Sequence, residues 1–219
     1  MWEDLSSSTN EGTPVARPRT ARLSREIIGR AALDYVDAGH DLQLVPLAKR
    51  LGVSVSSLYH HVDGRDGVIR ALREVLVTEY IAVAPEHTDW ESRIRSEVEL
   101  TWRMYADHPR ALELMLTVVI DEPDVLRFYS ALAAALGDAG VPDTEILTTI
   151  EVIDAFTFGA ALDALSPDTI LDPEHSGPVL GPLLRRHPLG AERNRRVFDR
   201  GLDFIIAGIR ARVAAGVQE

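Results

Sequence analysis

The chain has 219 residues, 46% of them hydrophobic, with 34 acidic against 23 basic side chains and a net charge of −11. That length supports one large or two modest domains with cores of their own; zero cysteines exclude disulfides and thiolate metal sites, and no apolar run reaches the ~18 residues of a membrane span. The charge is uneven, with −3 over residues 1–14, +2 over 15–83 and −10 over 84–219, so the one cationic stretch of an acidic chain lies before residue 84.

Residues 1–19 are polar, contain proline and serine, and lack the apolar segment of a signal peptide, which predicts a flexible arm on a cytoplasmic protein. Arg17, Arg19, Arg22 and Arg25 crowd its end, and residues 23–38 follow with helical periodicity. Within LVPLAKRLGVSVSSLYHHV, residues 44–62, Leu47, Ala48 and Leu51 share one face while Lys49 and Arg50 turn outward, so a short amphipathic helix is predicted over 43–51. Gly52 suits the left-handed residue that ends such a helix, and Ser54 or Ser56 suits the N-cap of the next, over 54–60. Leu58 then points back at Leu47 and Leu51. A small residue at Ala48, a glycine four positions on and an apolar residue ten positions on have the spacing of a helix-turn-helix. A connecting helix is predicted over 64–82.

Val55, Ser56, Ser57, Tyr59, His60 and His61 make the outer face of the second of these helices small or planar, polar and free of acids. Serine hydroxyls reach phosphates or bases, Val55 suits a thymine methyl, and Tyr59 and the histidines donate to phosphate oxygens. Tyr59 and one histidine have a second reading, as half-buried supports of the helix. Arg65, at the head of the connecting helix, either meets a phosphate or is solvated.

From Leu23 to Ile81 the order of these features, with LYHHV followed by a charged DGRDG link, resembles the N-terminal DNA-binding domain of the TetR family of transcriptional regulators. The resemblance implies a three-helix DNA-binding head whose third helix enters the major groove, and a fourth helix leading to a ligand-binding core. It carries DNA contact onto Gln43, Ser54, Val55, Ser56, Ser57, Tyr59, His60, His61 and Arg65. Leu44, Val45 and Pro46 depart from the polar or basic start of the second helix common in the family, although Pro46 is acceptable in a first turn. The arm's arginines suit a groove, as in homeodomain arms, or belong to a leader without a role. A head carrying only +2 binds weakly alone, which calls for two heads on a palindromic site.

The expected division is an arm over 1–19, a DNA-binding domain with its connecting helix over 20–83, and a helical ligand-binding and dimerisation domain over 84–219. Helices are predicted over 90–107, 109–117, 123–137, 142–165 and 191–215, with Pro109, Pro123 and Pro142 at helix starts and no strand period long enough to challenge an all-α fold. Ile153, Phe156, Ala160, Ala161 and Ala164 cluster with Gly159 on the helix 142–165, and Phe204, Ile205, Ala207, Gly208, Ile209 and Ala211 give 191–215 a similar surface. In the TetR family two such helices from each subunit build a four-helix dimer interface; a monomer core is the other reading.

Glu97, Thr101, Trp102, Tyr105, Leu116, Val119, Phe128, Tyr129, Leu132 and Phe156 recur at helical spacing with few charges and are candidates to line a pocket for a small, largely apolar effector. In tetracycline-responsive repressors, which the core resembles, Asp163 falls near a carboxylate used around the bound metal. The position of the metal-binding histidine falls about Leu116, and leucine cannot bind Mg²⁺, so a metal-tetracycline effector is not expected and Asp163 reads as an exposed or interface acid. Residues 166–189 hold five prolines and two glycines and read as a loop-rich insertion with a short helix near 178–186, which gates the pocket, embraces a partner or is disordered.

No phosphate loop, GxSxG, HExxH or cysteine nucleophile is present, and His60 and His61 point about 100° apart on a helix, poorly placed to chelate one ion. No catalytic residue, metal or cofactor is therefore assigned. The expectation is an all-α homodimeric regulator, a repressor released from a palindromic operator by an effector, with a helical binding or scaffold protein and a small helical enzyme as the alternatives.

Overall fold

The computed structural model describes residues 23–81 and 87–216; the expected arm over 1–19 lies outside them. The described residues are helical, without strands. In chain order the α-helices are α1 (Arg25–Asp37), α2 (Leu44–Leu51), α3 (Val55–Tyr59), α4 (Gly64–Tyr80), α5 (Trp90–Asp107), α6 (Pro109–Met115), α7 (Pro123–Ala139), α8 (Asp143–Leu162), α9 (Gly177–Leu184) and α10 (Gly190–Gly216), with a 3-10 turn over Asp163–Leu165.

Local chemistry sets most of these bounds. The hydroxyl of Ser24 accepts from the amide of Ile27 at 3.2 Å, and the carboxylate of Asp89 accepts from the amide of Ser92 at 2.8 Å, each satisfying a donor that an α-helix leaves free at its start. Prolines open α6 and α7, where their missing N–H costs nothing. Gly52 (φ 69°) ends α2 and Gly140 (φ 92°) ends α7 in the left-handed region that a side chain would strain. The third helix is shorter than the 54–60 expected because Ser54 stands outside it as the cap.

Two hydrophobic clusters result. In the first, Leu58 of α3 is buried with Leu47 and Ala48 of α2 against Ile28 and Ala32 of α1 and Ile69 and Leu72 of α4; each large side chain so removed from water contributes about 1.5–3 kcal/mol. Met104, Ala111, Met115 and Val118 of the α5–α6 region belong to the same cluster, so the head shares its core with the body through α4. The α1–α4 contact is close: a Cβ on Gly29 would lie 2.3 Å from the carbonyl oxygen of Ala71. The second cluster joins α5, α7, α8 and α10, with Phe198 stacked on Trp102 at 4.4 Å and on Phe156 at 5.9 Å between ring centroids. Gly201 of α10 leaves the space that Phe156 of α8 fills.

The surface expected to be open on α8 and α10 is corrected in detail. Ile153, Ala160, Ala161 and Ile209 are buried within the subunit. The exposed stripe keeps Gly159, Phe204 and Gly208 of the expected set and adds Val152 and Ala155 on α8 and Val197 on α10. A helix of mixed apolar and small residues does not reveal from its sequence which of two apolar sides meets its own subunit.

Candidate DNA-binding face and effector core

Helix α3 is held from behind by Leu58 and capped in front by Ser54, whose hydroxyl accepts from the amide of Ser57 at 3.1 Å and lies 2.8 Å from the Ser57 hydroxyl. That arrangement leaves Ser56, Tyr59, His60 and His61 exposed and Val55 and Ser57 half-buried; Tyr59, 56% exposed, is not the buried support of the second reading. Gln43 is the N-cap residue of α2 with its side chain exposed and unused in capping, and Arg65 is exposed on the first turn of α4 with no ion pair among the described residues. Gln43, Ser54, Ser56, Tyr59, His60, His61 and Arg65 are thus exposed around the start of α2, the length of α3 and the start of α4, with Val55 and Ser57 half-buried beside them. Hydroxyl, imidazole and guanidinium groups are the kinds of donor that phosphate oxygens accept from.

Behind this face, α4 is tied to the body by a group that the sequence reading did not single out. Arg73, on the buried side of α4 among Ile69, Leu72 and Leu76, donates through Nη1 to both carboxylate oxygens of Glu122 at 2.8 Å. Its Nη2 donates to the carbonyls of Met115 and Val118 at 2.9 and 2.8 Å, closing the end of α6. A charged residue on an otherwise apolar helix stripe was the available signal. At the other end of α4, the Tyr80 hydroxyl donates to Asp107 at 2.8 Å, and burial together with Asp107 pushes its pKa up to about 12. Asp37 of α1 and His108, between α5 and α6, meet at 2.7 Å.

The pocket candidates separate. Trp102, Phe128, Leu132 and Thr101 are buried, and Tyr105, Tyr129, Glu97 and Phe156 are half-buried. Thr101 is not a free polar anchor, since its hydroxyl donates to the carbonyl of Glu97 at 2.8 Å. Leu116 and Val119 are 55% and 78% exposed on the segment between α6 and α7 and do not enclose an interior space, whereas Met115 and Val118 of the same segment, whose carbonyls accept from Arg73, are buried. Between α5, α7 and α8 the Tyr129 hydroxyl donates to Asp154 at 2.9 Å. Burial pushes the Asp154 carboxyl up to about 6 against the pull of that hydrogen bond, and raises Tyr105 and Tyr129 well above the usual phenol range. Burial likewise takes Glu97 up to about 7, with Arg93 opposing.

A cavity of about 630 Å³ lies elsewhere, between the exposed stripes of α8 and α10 and the segments 168–171 and 184–189; of the pocket candidates only Phe156 lines it. Asp163 at its edge, expected to be an exposed or interface acid, is half-buried: it accepts from Arg193 at 2.9 Å and from Asn194 at 3.2 Å. Burial would raise its carboxyl, but these hydrogen bonds outweigh it and hold Asp163 below the usual carboxylate range. A second groove of about 400 Å³, lined by Thr148, Val152, Ile205 and Gly208 among others, continues the stripe. The insertion contains α9, whose Val179 and Leu183 face solvent. No helix among the described residues is long and apolar enough to cross a membrane.

A family model described as tetracyclin repressor-like, C-terminal domain, matches residues 83–213. An HTH-type transcriptional regulator of Saccharopolyspora erythraea is 26% identical over 232 residues, covering 96% of this chain and 98% of that protein. The tetracycline repressor protein class D of Escherichia coli is 27% identical over 216 residues, covering 90% and 94% respectively. Among solved structures, the TetR family protein ActR of Streptomyces coelicolor in complex with actinorhodin superposes with a TM-score of 0.70 at 24% identity, covering 88% of this chain and 99% of that one. With a helix-turn-helix presented on its head and the body matched from residue 83 to residue 213, the chain belongs to the TetR family of DNA-binding transcriptional regulators.

Proposed function

We propose that the protein is a cytoplasmic, ligand-responsive repressor that binds a palindromic operator as a homodimer and leaves it when a small, largely apolar effector occupies the body. The division of labour is a DNA-binding unit over 20–83 and a ligand-binding and dimerisation unit over 84–219. The observation that carries this reading is the buried junction of Arg73 on α4 with Glu122 at the start of α7, which makes the helix behind the DNA-binding face part of the body's own packing.

Dimerisation through α8 and α10 is supported by the stripe of Val152, Ala155, Gly159, Val197, Phe204 and Gly208. Gly159 and Gly208 have open space where a side chain would stand, which lets a second copy's helices come close. Two heads so joined meet successive major grooves. An effector that favours a different spacing of the heads shifts the population off the operator, and a coupling of about 1–3 kcal/mol lowers affinity about 5- to 150-fold.

The test is fluorescence anisotropy of duplex DNA taken from upstream of the protein's own gene, titrated at several salt concentrations. A palindromic duplex bound by two chains, with affinity falling steeply with salt, supports the reading. Equal affinity for scrambled duplexes overturns it.

A further inference from the structure

We infer that the body selects a cationic effector, with the Asp154 carboxylate as its counter-ion beside the Tyr105 and Tyr129 rings. The inference rests on the reading of the body as an effector site and adds the charge class of the ligand.

The first ground is a contrast between acids. The buried Glu122 and the half-buried Asp163 each hold an arginine, Arg73 and Arg193. Asp154 is half-buried between α5, α7 and α8, yet among the described residues its hydrogen-bond partner is a neutral phenol, Tyr129, and no basic side chain pairs with it. Glu97, on the α5 wall of the same helix group, has a buried Oε2 with no hydrogen-bond partner. An ionised carboxylate removed from water is costly without a counter-charge, so a neutral or anionic occupant would seal in an uncompensated charge while a cation would supply the missing partner.

The second ground is aromatic. Tyr129 meets Phe128 edge-on at 5.3 Å and 76°, and Phe158, one turn beyond Asp154 on α8, meets Tyr105 at 5.3 Å and 81°. Aromatic side chains clustered on an acid are the composition that holds organic cations, because ring faces carry negative charge density. Burial also raises the Asp154 carboxyl, so ionisation and cation binding are coupled. The titratable groups that face it are Tyr105 of α5, Tyr129 of α7 and Glu151 of its own helix, with Arg73 of α4 acting on the two phenols. A cation seated there enters the field of Arg73, whose grip on Glu122 ties α4 to the body, which gives the effector a route to the head.

Tetraphenylphosphonium and tetraphenylborate, ions of one size and shape and opposite charge, test this by calorimetry on the full chain. The expected result is binding of tetraphenylphosphonium that weakens at least about tenfold in Asp154→Asn and on lowering the pH from 8 to 5 in the wild type. The carboxylate must be ionised to hold the cation, so affinity falls as pH drops through its pKa. Tyr129→Phe keeps the carboxylate but removes the donor that favours its ionised form, so the pH at which binding is half lost moves upward. Failure of tetraphenylphosphonium to bind the wild type, tighter binding of tetraphenylborate, or wild-type affinity in a folded Asp154→Asn overturns the inference. Operator anisotropy in the same titrations separates the two readings. Binding through Asp154 that leaves operator affinity unchanged upholds the cation site and overturns the effector role, whereas operator release by tetraphenylborate, undiminished in Asp154→Asn, does the reverse.

Discussion

Arg73 of α4 and Glu122 at the start of α7, 49 residues apart, form an ion pair whose side chains are 3% and 2% exposed. Nη2 of Arg73 also reaches the carbonyls of Met115 and Val118, and Glu122 also accepts from the amide of Asp121. It joins the helix that carries the head to the segment that closes the body.

Removing one partner leaves a buried charge alone. Arg73→Ala is expected to lower stability by about 3–5 kcal/mol, and the paired replacement Arg73→Met with Glu122→Leu to restore most of it, because packed apolar groups do not need the counter-charge. Chemical denaturation of both single variants and the double variant measures this as a double-mutant cycle. The double variant is also expected to bind the operator but to respond less to effector, which anisotropy reports.

Gly29 is the point of closest approach between α1 and α4. Gly29→Ala forces a Cβ to within 2.3 Å of a backbone oxygen, so the helices must separate, at a cost of about 1–3 kcal/mol. The loss of melting temperature should be matched by weaker operator binding, because α1 supports α2 and α3.

Ser54 and Ser56 stand two residues apart with different tasks. Ser54→Ala removes the cap of α3 and is expected to cost about 1 kcal/mol in stability. Ser56→Glu places a charge on an exposed position, should leave the melting temperature unchanged, and should weaken operator binding by tenfold or more through repulsion from phosphate. If Ser56→Glu binds DNA as the wild type does, α3 is not the groove-facing helix.

Glu97 makes a pH-dependent contribution whose sign follows from burial. Its carboxyl, ordinarily near 4.5, sits at about 7 in the folded state, so the native protein holds a proton that the unfolded chain releases, and stability falls as pH rises between those values. Glu97→Gln should therefore raise the melting temperature at pH 8 and leave it nearly unchanged at pH 4. Solvent that reaches Glu97 screens part of the penalty, so the gain at pH 8 is about 1 kcal/mol, or ~2–4 °C in a scanning melt.

Phe204 is 68% exposed in the middle of the α8–α10 stripe. Phe204→Arg should place a charge at the centre of the dimer contact and convert the protein to a monomer by light scattering at micromolar concentration, with helix content retained. Operator affinity should then fall to that of a single head.

The sequence by itself determined what neighbours along the chain decide. Ala48, Gly52 and Leu58 specify the helix-turn-helix because a small contact, a left-handed turn and an apolar lock act within eleven residues. Prolines 109 and 123 and Gly140 fix the bounds of α6 and α7 for the same local reason. Only the tertiary structure decided which distant charge each buried group meets: Arg73 with Glu122, Arg193 with Asp163, and Asp154 with a phenol instead of an arginine. It also turned Ile153 inward and Val152 outward on one apolar helix, and left Leu116 and Val119 in solvent. Hydrophobic periodicity names the residues able to be buried, but burial and ion pairing are settled by packing between helices far apart in sequence, where shape and counter-charge choose among chemically equivalent faces.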